Sequence, residues 1–329
     1  MIRLYTSLNM TIKDIEEKLE ESQPLKVAYH SDADGVASAA LLASMFEVLE
    51  NDEYPYSPTI FGGFNKGDVA LDLGQPINKA VNMICIDHHD HPNPWYPLIW
   101  SHVPTGLILY YAFRHRIPDD KLWIVCLSCV GDGQPELIPD EIWDKYWDIL
   151  WERRGSLYRE RYGRGINSFA YPIYSVAASP VNALCRAGRV SEAYKLVSRA
   201  NSILDIVDDP LATVERESIE EEESKIVSPK NPPKIQLIKD RFGVVTIRSK
   251  YSINGRIATR ISQNNPGLTI LVFNANDGTF SIRGVLAKYL ANKLREAGFH
   301  AGGHPGFAGG CLLEGQTLED LTEAIRRIR

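Results

Sequence analysis

At residues 84–92 the chain reads Ile84-Cys85-Ile86-Asp87-His88-His89-Asp90-His91-Pro92. A mostly apolar run, Val81 to Ile86, ends abruptly here in carboxylates and imidazoles. A short apolar run that is closed by polar turn residues is typical of a buried strand, and open α/β sheets bind ligands just beyond the carboxyl ends of their strands. Imidazole and carboxylate groups together are ligands for divalent metals. We therefore expect a metal or ligand site at the end of this strand.

The composition is that of a globular protein with more than one domain. The chain has 329 residues, of which 44% are hydrophobic and 24% are charged, and this length suits two domains of ordinary size. Its five cysteines favour a reducing compartment over a disulfide framework. No apolar run is long enough to span a bilayer, so we expect a cytoplasmic protein without membrane attachment. A net charge of −6 argues against broad nonspecific binding to duplex nucleic acid.

Strands alternate with helices in the first part of the chain, which predicts a mainly parallel sheet in an α/β domain. The opening unit is a strand, Leu25 to Tyr29, then a polar turn, His30 to Gly35, then a helix, Val36 to Leu49. An amphipathic helix, Thr11 to Glu21, precedes this unit. The further predicted strands are Thr59–Phe61, Asp68–Leu73, Val81–Ile86 and Leu98–Ser101, and the further helices are Thr105–His115 and Lys121–Cys129.

Residues 140–174, near the end of a predicted first domain of residues 1–210, combine aromatic side chains with arginines from Trp143 to Tyr174. Aromatic rings beside arginines can stack bases and hold phosphates. An aromatic stripe is more often part of a packed helical core, with the arginines reaching outward to solvent. The pattern favours the core interpretation, and both remain open.

An acidic, helix-favouring run followed by prolines predicts an interdomain linker at residues 211–233. The pattern of strands and helices then restarts, which predicts a smaller α/β domain at residues 234–329. Asn276-Asp277-Gly278 is a strong turn signal and predicts a hairpin of two strands, Leu268–Asn274 and Thr279–Arg283. A glycine-rich loop at residues 302–310 and a short strand, Cys311–Glu314, are predicted to follow.

Acidic and imidazole side chains recur at four strand ends or turns of the first domain. Any one of these groups could be a capping carboxylate or a core histidine, but their recurrence in one sheet domain indicates that they converge. Buried carboxylates so close together would repel each other unless cations neutralise them. The set suffices for two divalent ions that share a bridging carboxylate. Its members are His30, Asp32, Asp34, Asp72, Asp87, His88, His89 and Asp132.

In this order the groups resemble the four motifs of the DHH phosphoesterases, a family named for its Asp-His-His triplet. The tail, Gly302-Gly303-His304-Pro305-Gly306-Phe307-Ala308-Gly309, resembles the GGHxxAAG signature of the DHH-associated domain. That domain accompanies RecJ-like nucleases and short-oligonucleotide ribonucleases, here of the archaeal type. Ser281-Ile282-Arg283 resembles the same domain's phosphate-binding strand. Phe307 departs from the signature, which has alanine at that position.

The resemblance implies a role for each group in the first domain. His30, Asp32 and Asp72 would hold one ion, and Asp34, Asp72, His88 and Asp132 would hold a second, with Asp72 bridging. His89 and Asp87 would be the catalytic pair. His89 would ligate a metal or donate to the phosphate, and Asp87 would orient an imidazole. The mixed ligand set suits two manganese ions, with magnesium or cobalt as substitutes.

The resemblance also implies substrate-binding residues in the second domain. Gly302 and Gly303 would let backbone N–H groups approach a phosphate closely. His304 would contact that phosphate or a terminal nucleotide, or would be a structural histidine that fixes the turn. Arg283 would clamp phosphate through two hydrogen bonds.

The implied function is divalent-metal-dependent, two-metal hydrolysis of phosphodiester bonds in short single-stranded RNA or DNA, with the active site in the cleft between the domains. Single-stranded nucleic acid or short oligonucleotides would be the substrates, and replication or repair proteins are candidate partners. One alternative is hydrolysis of a small phosphate compound, such as a cyclic dinucleotide, a nucleoside bisphosphate or polyphosphate. A second is a non-catalytic scaffold in a replication complex, against which the complete ligand set argues.

Overall fold

The computed structural model describes residues 2–49, 67–76, 78–80, 82–142, 145, 172–228, 230, 232–239 and 241–328. The side chains of residues 172–176 and 304 lie outside the described part. The predicted strand Thr59–Phe61 and most of the aromatic segment at residues 140–174 also fall outside it. Within the described residues, no helix has both the length and the apolar character that a membrane crossing requires.

The chain divides into two compact units, one that ends at Arg216 and one that begins at Glu217. The division falls inside a single helix, Pro210–Ile226. Most of the acidic run that predicted a linker is therefore helical. Part of it is also packed, since Ile219 and Glu223 are buried.

The first unit contains a five-stranded sheet that is parallel except at one edge. Its order is β1-β5-β4-β3-β2, and the strands are β1 (Tyr5–Thr6), β2 (Val27–Tyr29), β3 (Val69–Leu71), β4 (Ile84–Asp87) and β5 (Leu98–Trp100). The α/β fold class and the mainly parallel sheet are confirmed. The antiparallel edge strand β1 was not predicted, because two residues are too short for a periodic signal.

The helices of this unit include several that are apolar on all sides. The helices are α1 (Ile12–Glu21), α2 (Ala33–Ala43), α3 (Thr105–Phe113), α4 (Trp123–Gly131), α5 (Pro172–Arg186), α6 (Val190–Arg199), α7 (Ile203–Val207) and the first part of α8 (Pro210–Ile226), whose residues from Glu217 onward belong to the second unit. Helices α2, α3 and α4 are buried almost throughout, as expected of helices without a polar face. They share one core with one face of the sheet, where Leu41, Leu107 and Ile86 are fully buried.

The second unit is a six-stranded sheet with its own core. Its order is β10-β11-β9-β8-β7-β6, with strands β6 (Gln236–Lys239), β7 (Phe242–Ile247), β8 (Thr269–Asn274), β9 (Thr279–Arg283), β10 (His300–His304) and β11 (Phe307–Cys311) and helices α9 (Asn254–Asn264), α10 (Ala287–Glu296) and α11 (Leu318–Arg327). Helices α9, α10 and α11 each bury one apolar stripe. The predicted hairpin around Asn276-Asp277-Gly278 is confirmed by the antiparallel pair β8 and β9.

The glycine-rich stretch is a β-hairpin and not the loop that the sequence predicts. Strands β10 and β11 pair throughout and turn at Pro305 and Gly306. The predicted strand Cys311–Glu314 is also wrong, because the observed strand β11 begins at Phe307 and ends at Cys311. Gly303 has φ +142°, and a Cβ there would lie 2.4 Å from the Phe307 carbonyl oxygen. Only glycine fits this backbone conformation without a clash, and composition alone does not reveal that a strand lies opposite.

The close approach of α4 to the start of α2 depends on Gly131. A Cβ at this position would lie 2.8 Å from the Asp34 amide nitrogen and 2.8 Å from the Ala33 Cβ. Because the obstacle includes backbone, the two helices would have to separate to admit a methyl group. The close contact holds Asp132, the next residue, beside the start of α2.

We therefore expect Gly131→Ala to destabilise the protein by roughly 1–3 kcal/mol, as overpacking does in a tight interior. Gly267→Ala is the matched control, since nothing lies within 4 Å of its added Cβ. Urea unfolding of both variants measures the difference. Equal midpoints for the two variants would show that the helices separate without cost.

Candidate metal centre

Three adjacent parallel strands end at the residues that form the site. His30 follows β2, Asp72 follows β3, and His88 follows β4. Because neighbouring parallel strands end at the same edge of a sheet, residues far apart in sequence become neighbours. Asp32 adds a fourth side chain from the first turn of α2, where it is the N-cap and accepts from the Gly35 amide at 3.0 Å.

The Asp72 carboxylate lies at the centre of this arrangement and is only 2% exposed. Its Oδ1 is 3.0 Å from His88 Nε2 and 3.6 Å from His89 Nδ1. Its Oδ2 is 3.6 Å from His30 Nδ1. The Asp72 backbone has φ +60°, a left-handed conformation that aspartate tolerates better than most residues. The turn thus aims the carboxylate at imidazoles from two other strands.

The donor set fits divalent ions in two overlapping groups. Ligand atoms lie within 4.8 Å of one another in each group, and Asp72 belongs to both. Asp72 Oδ1 is buried and makes no hydrogen bond of acceptable geometry, although His88 Nε2 is 3.0 Å away. Two ligand atoms at right angles on one ion are about 3 Å apart when each metal–ligand bond is about 2.1 Å. The distance between Asp72 Oδ1 and His88 Nε2 therefore suits two ligands of one ion. The groups are Asp72, Asp87, His88 and His89, and His30, Asp32 and Asp72.

Asp87 holds His89, the last residue of the Asp-His-His triplet, in place. Its Oδ1 is 2.7 Å from His89 Nδ1 and accepts from the His89 amide at 2.8 Å. Its Oδ2 accepts from the Gly74 amide at 2.5 Å and lies 3.3 Å from His91 Nε2. A carboxylate that engages one ring nitrogen fixes the orientation of the imidazole. This geometry suits the orienting role that the sequence suggests for Asp87.

Asp34 lies outside both ligand groups. Its carboxylate is 1% exposed and accepts from the start of helix α3, through Thr105 N at 2.9 Å and Gly106 N at 3.3 Å. It also accepts from Ser128 Oγ at 2.6 Å and Ser38 Oγ at 3.1 Å. In this structure Asp34 therefore ties three helices together.

Asp132 reaches the edge of the centre from the end of helix α4. Its Oδ2 is 3.6 Å from His88 Nδ1 and accepts from Gln134 Nε2 at 2.5 Å. The two nitrogens of the His88 ring thus face two carboxylates, those of Asp72 and Asp132. Asp132 itself belongs to neither ligand group.

Burial and charge act against each other throughout the centre. Burial disfavours ionisation of Asp72, but its close contacts with the His30 and His88 imidazoles outweigh the burial and hold its pKa below the usual range. Burial also disfavours the His88 imidazolium, yet the close contact with the Asp72 carboxylate, together with the charge of Asp132, raises the pKa of His88 to about 10. For Asp132, burial outweighs the attraction of His88 and raises the pKa to about 6. A proton on His88 would therefore compete with a divalent ion for the same imidazole.

The predicted substrate-binding residues lie together in the second unit. Arg283 is the cross-strand partner of Phe307, and its guanidinium donates to the carbonyls of Ile282 at 2.9 Å and Ala308 at 3.2 Å. Its Cζ lies 5.0 Å from the centre of the exposed Phe307 ring. Gly302 and Gly303 lie on β10, and the His304 backbone ends that strand.

Arg283 is largely desolvated and has no carboxylate partner among the described residues. Its Nε is buried without a hydrogen bond, and burial lowers its pKa. Arg256 and Arg260, in contrast, both pair with the buried Glu223, at 2.6 and 3.1 Å. A desolvated guanidinium without a counter-charge favours an anionic ligand.

Sequence reasoning missed the residues that support the centre from a distance. Trp100 donates from Nε1 to the His89 carbonyl at 2.6 Å, and Ser128 donates to Asp34. Neither residue stands in a motif, and Trp100 carried no signal beyond its place at the end of a strand. Such contacts depend on strand register and helix packing.

We expect Asp72→Asn to abolish tight binding of Mn²⁺, because the amide removes the carboxylate that both ligand groups share. Asparagine tolerates the same left-handed backbone, so the fold should persist. Asp68→Asn is the control, at the opposite end of the same strand, where the Asp68 carboxylate accepts from the Lys26 amide at 2.8 Å. Titration calorimetry with Mn²⁺ checks the expectation. Unchanged affinity in Asp72→Asn would remove Asp72 from the metal site.

Metal loading should release protons, because ligands bind in their deprotonated forms. With a pKa of about 10, His88 is protonated at pH 7 in the metal-free protein and must lose that proton to ligate. Affinity for Mn²⁺ should therefore increase as the pH rises from 6 to 8. Calorimetry in buffers of different ionisation enthalpy counts the protons, with about one from His88 expected at pH 7. Equal proton release from His88→Ala would contradict this assignment.

No family model matches the chain, and no curated protein matches it. Solved structures do match. RecJ from Thermus thermophilus in complex with Mn²⁺ superposes with a TM-score of 0.60 at 17% identity, over 97% of this chain and 54% of that chain. The chain thus spans about half the length of that RecJ.

Two further structures match over nearly their whole length. Exonuclease RecJ bound to manganese has a TM-score of 0.59 at 19% identity, over 97% of this chain and 94% of that one. The DHH domain of a member of a ribosomal protein family has a TM-score of 0.54 at 14% identity, over 97% and 90%. At these identities the likeness concerns the fold, and it confirms at that level the resemblance seen in the sequence. The chain has the fold of the DHH-family phosphoesterases.

Proposed function

We propose that the protein is a divalent-metal-dependent phosphodiesterase that removes nucleotides from short single strands of RNA or DNA. The observation that carries the proposal is the position of Asp72, whose carboxylate belongs to both ligand groups. A carboxylate shared by two ion sites is the arrangement that two-metal hydrolysis of phosphate esters uses. The fold, shared with structures of manganese-bound RecJ, supports a nuclease.

The proposed ligands come from the ends of three strands and from two helix termini. When bound, two divalent ions, with manganese best suited and magnesium or cobalt as substitutes, would supply Lewis-acid stabilisation of the phosphate and activation of a water. Asp34 would take part through Oδ2, which accepts from the Thr105 amide and has a second lone pair. The proposed ligands are His30, Asp32, Asp34, Asp72, His88 and Asp132.

His89 and Asp87 are the proposed catalytic pair. Asp87 Oδ1 engages His89 Nδ1 at 2.7 Å, so we assign Nε2 as the atom that donates to the substrate phosphate. Burial works against ionisation of Asp87, but the charge and hydrogen bond of His89 outweigh it and hold its pKa well below the usual range. The ionised carboxylate orients the His89 ring, and in the proposed step that ring stabilises negative charge on the phosphoryl oxygens.

The second unit is proposed to bind a phosphate of the substrate. Arg283 would bind a phosphate, since its desolvated guanidinium has no carboxylate partner among the described residues. Gly302 and Gly303 would bring backbone N–H groups to the same phosphate, and His304 would contact it or a terminal nucleotide. Nothing lies within 4 Å of the position that a Cβ on Gly302 would take. There is therefore room for a ligand beside this residue.

The test is a hydrolysis panel with Mn²⁺ on single strands of RNA and DNA of two to twenty residues, cyclic dinucleotides and polyphosphate. We expect stepwise release of mononucleotides from the strands. An Asp87→Ala/His88→Ala double variant should be inactive. Arg283→Met should raise KM about 10- to 100-fold, the range for loss of a charge-assisted phosphate contact. Arg295→Met, at an exposed arginine of the same unit, is the control and should leave KM unchanged.

Other results of the hydrolysis panel would contradict the proposed function or the role of Arg283. Turnover of cyclic dinucleotides or polyphosphate without turnover of strands would replace the proposal with hydrolysis of a small phosphate compound. Binding of Mn²⁺ without turnover of any substrate would favour a scaffold in a replication complex. An unchanged KM in Arg283→Met would remove Arg283 from the substrate site while leaving the metal centre in place.

A further inference from the structure

A second feature of the first unit adjoins the metal centre and plays no part in the proposed chemistry. Trp100 ends strand β5, is the cross-strand partner of Asp87, and donates from Nε1 to the His89 carbonyl at 2.6 Å. Its indole is therefore tied directly to the turn that carries the catalytic pair. Whatever lies against this ring lies beside the metal centre.

Trp100 is the middle of a row of rings along the edge of the sheet. Tyr5, its partner on β1, packs against it with ring centroids 5.5 Å apart. His102 packs on it at 4.3 Å. Arg3 extends the row, with its guanidinium carbon 5.5 Å from the centre of the Tyr5 ring. We name these four residues the edge ladder.

Packing alone accounts for only part of this row. The Tyr5–Trp100 contact helps to attach the two-residue strand β1 to β5. Attachment of β1 does not require His102 or Arg3. Tyr5 nevertheless remains 47% exposed, His102 is exposed, and Arg3 forms no ion pair with a described residue. Parts of the Tyr5 and His102 rings, and the guanidinium of Arg3, are thus accessible to solvent beside Trp100.

This combination has the chemistry of a platform for single-stranded nucleic acid. Bases stack on aromatic side chains whatever their sequence, and an arginine at the end of the row attracts the phosphate that follows. The chain carries a net charge of −6, so a local cation is needed wherever a strand is to run. An apolar protein partner would instead favour an apolar rim, and here the rim is Arg3 and His102.

We propose that the edge ladder stacks the bases of a single strand whose phosphate lies at the metal centre. The inference rests on the proposed function and assigns it a base-binding subsite in the first unit. Stacking makes the subsite tolerant of sequence and confines it to single strands, because paired bases do not expose their faces. The ladder thus selects nucleic acid over other phosphodiesters.

Tyr5→Ala is the principal test, because Tyr5 lies at the exposed end of the ladder, away from His89. We expect KM for a short strand to rise about 5- to 100-fold, the range for loss of one stacked base, with kcat little changed. Tyr5→Phe should retain the wild-type KM. Tyr111→Ala, at a tyrosine on α3 that is 41% exposed, is the control and should also leave KM unchanged.

Strands with a single abasic residue identify the stacked position. When the abasic residue is at that position, the KM of wild type should rise by the same factor by which Tyr5→Ala raises KM on the intact strand. The KM of Tyr5→Ala should not rise further. On a wholly abasic strand the two proteins should be equal. An equal rise in KM on intact and abasic strands, or no rise on either, would overturn the proposal.

Two further measurements keep the ladder distinct from the proposed function. If wild type hydrolyses no strand, the proposed function fails, and anisotropy of a labelled strand with metal-free protein tests the ladder by itself. Weaker binding by Tyr5→Ala would then support the ladder, and equal binding would overturn it. If Tyr5→Ala melts well below wild type, His102→Ala takes its place with the same expectations, since His102 lies outside the β1–β5 pair.

Discussion

The first unit is built around a buried carboxylate that would be unfavourable without its surroundings. Asp72 is 2% exposed, and a carboxylate loses much of its hydration free energy when it is removed from water. His30, His88 and His89 lie within 3.6 Å of its oxygens, and the contacts with His30 and His88 compensate for the lost hydration. These imidazoles come from two other strand ends. The parallel register of β2, β3 and β4 is therefore a condition for burying Asp72 at all.

The remaining polar residues of the unit hold that arrangement in place. Asp87 fixes the His89 ring, and Asp34 joins α2 to the start of α3 and to Ser128 on α4. Gly131 lets α4 approach α2 closely enough to bring Asp132 to His88. Each of these supports is itself buried or close-packed, so the positions of the ligands depend on the integrity of the core. This is how a preorganised site keeps its groups in place before a ligand arrives.

The two units present complementary chemistry. The first concentrates carboxylates and imidazoles, which suit cations, and the second presents a desolvated arginine and a glycine-rich hairpin, which suit anions. Aromatic rings stand beside both, as the edge ladder in the first unit and as Phe307 over Arg283 in the second. These features are the basis of the proposed metal, phosphate and base sites, and together they fit the proposed nucleic-acid substrate.

Much of the candidate site could be predicted from the sequence, because its ligands sit at local landmarks. His30, Asp72 and His88 each follow an apolar run that ends at a polar turn, and Asp32 stands where a helix cap is expected. Such patterns depend on residues within a few positions of one another, and the order of the motifs then indicates the fold. The glycine-rich hairpin was predicted as a loop, because local composition does not report which strand lies opposite.

Only the tertiary structure decided how these groups divide their roles. Asp34 accepts from residues 71 and 94 positions away, which places it among the helix termini and outside both ligand groups. Trp100 became a support of His89 through strand register, and β1 joined the sheet by pairing with a strand far along the chain. The sequence by itself determined which residues could ligate and at which strand ends they lie. Packing and hydrogen bonds between distant segments decided which of them meet, because those contacts leave no periodic signal in the chain.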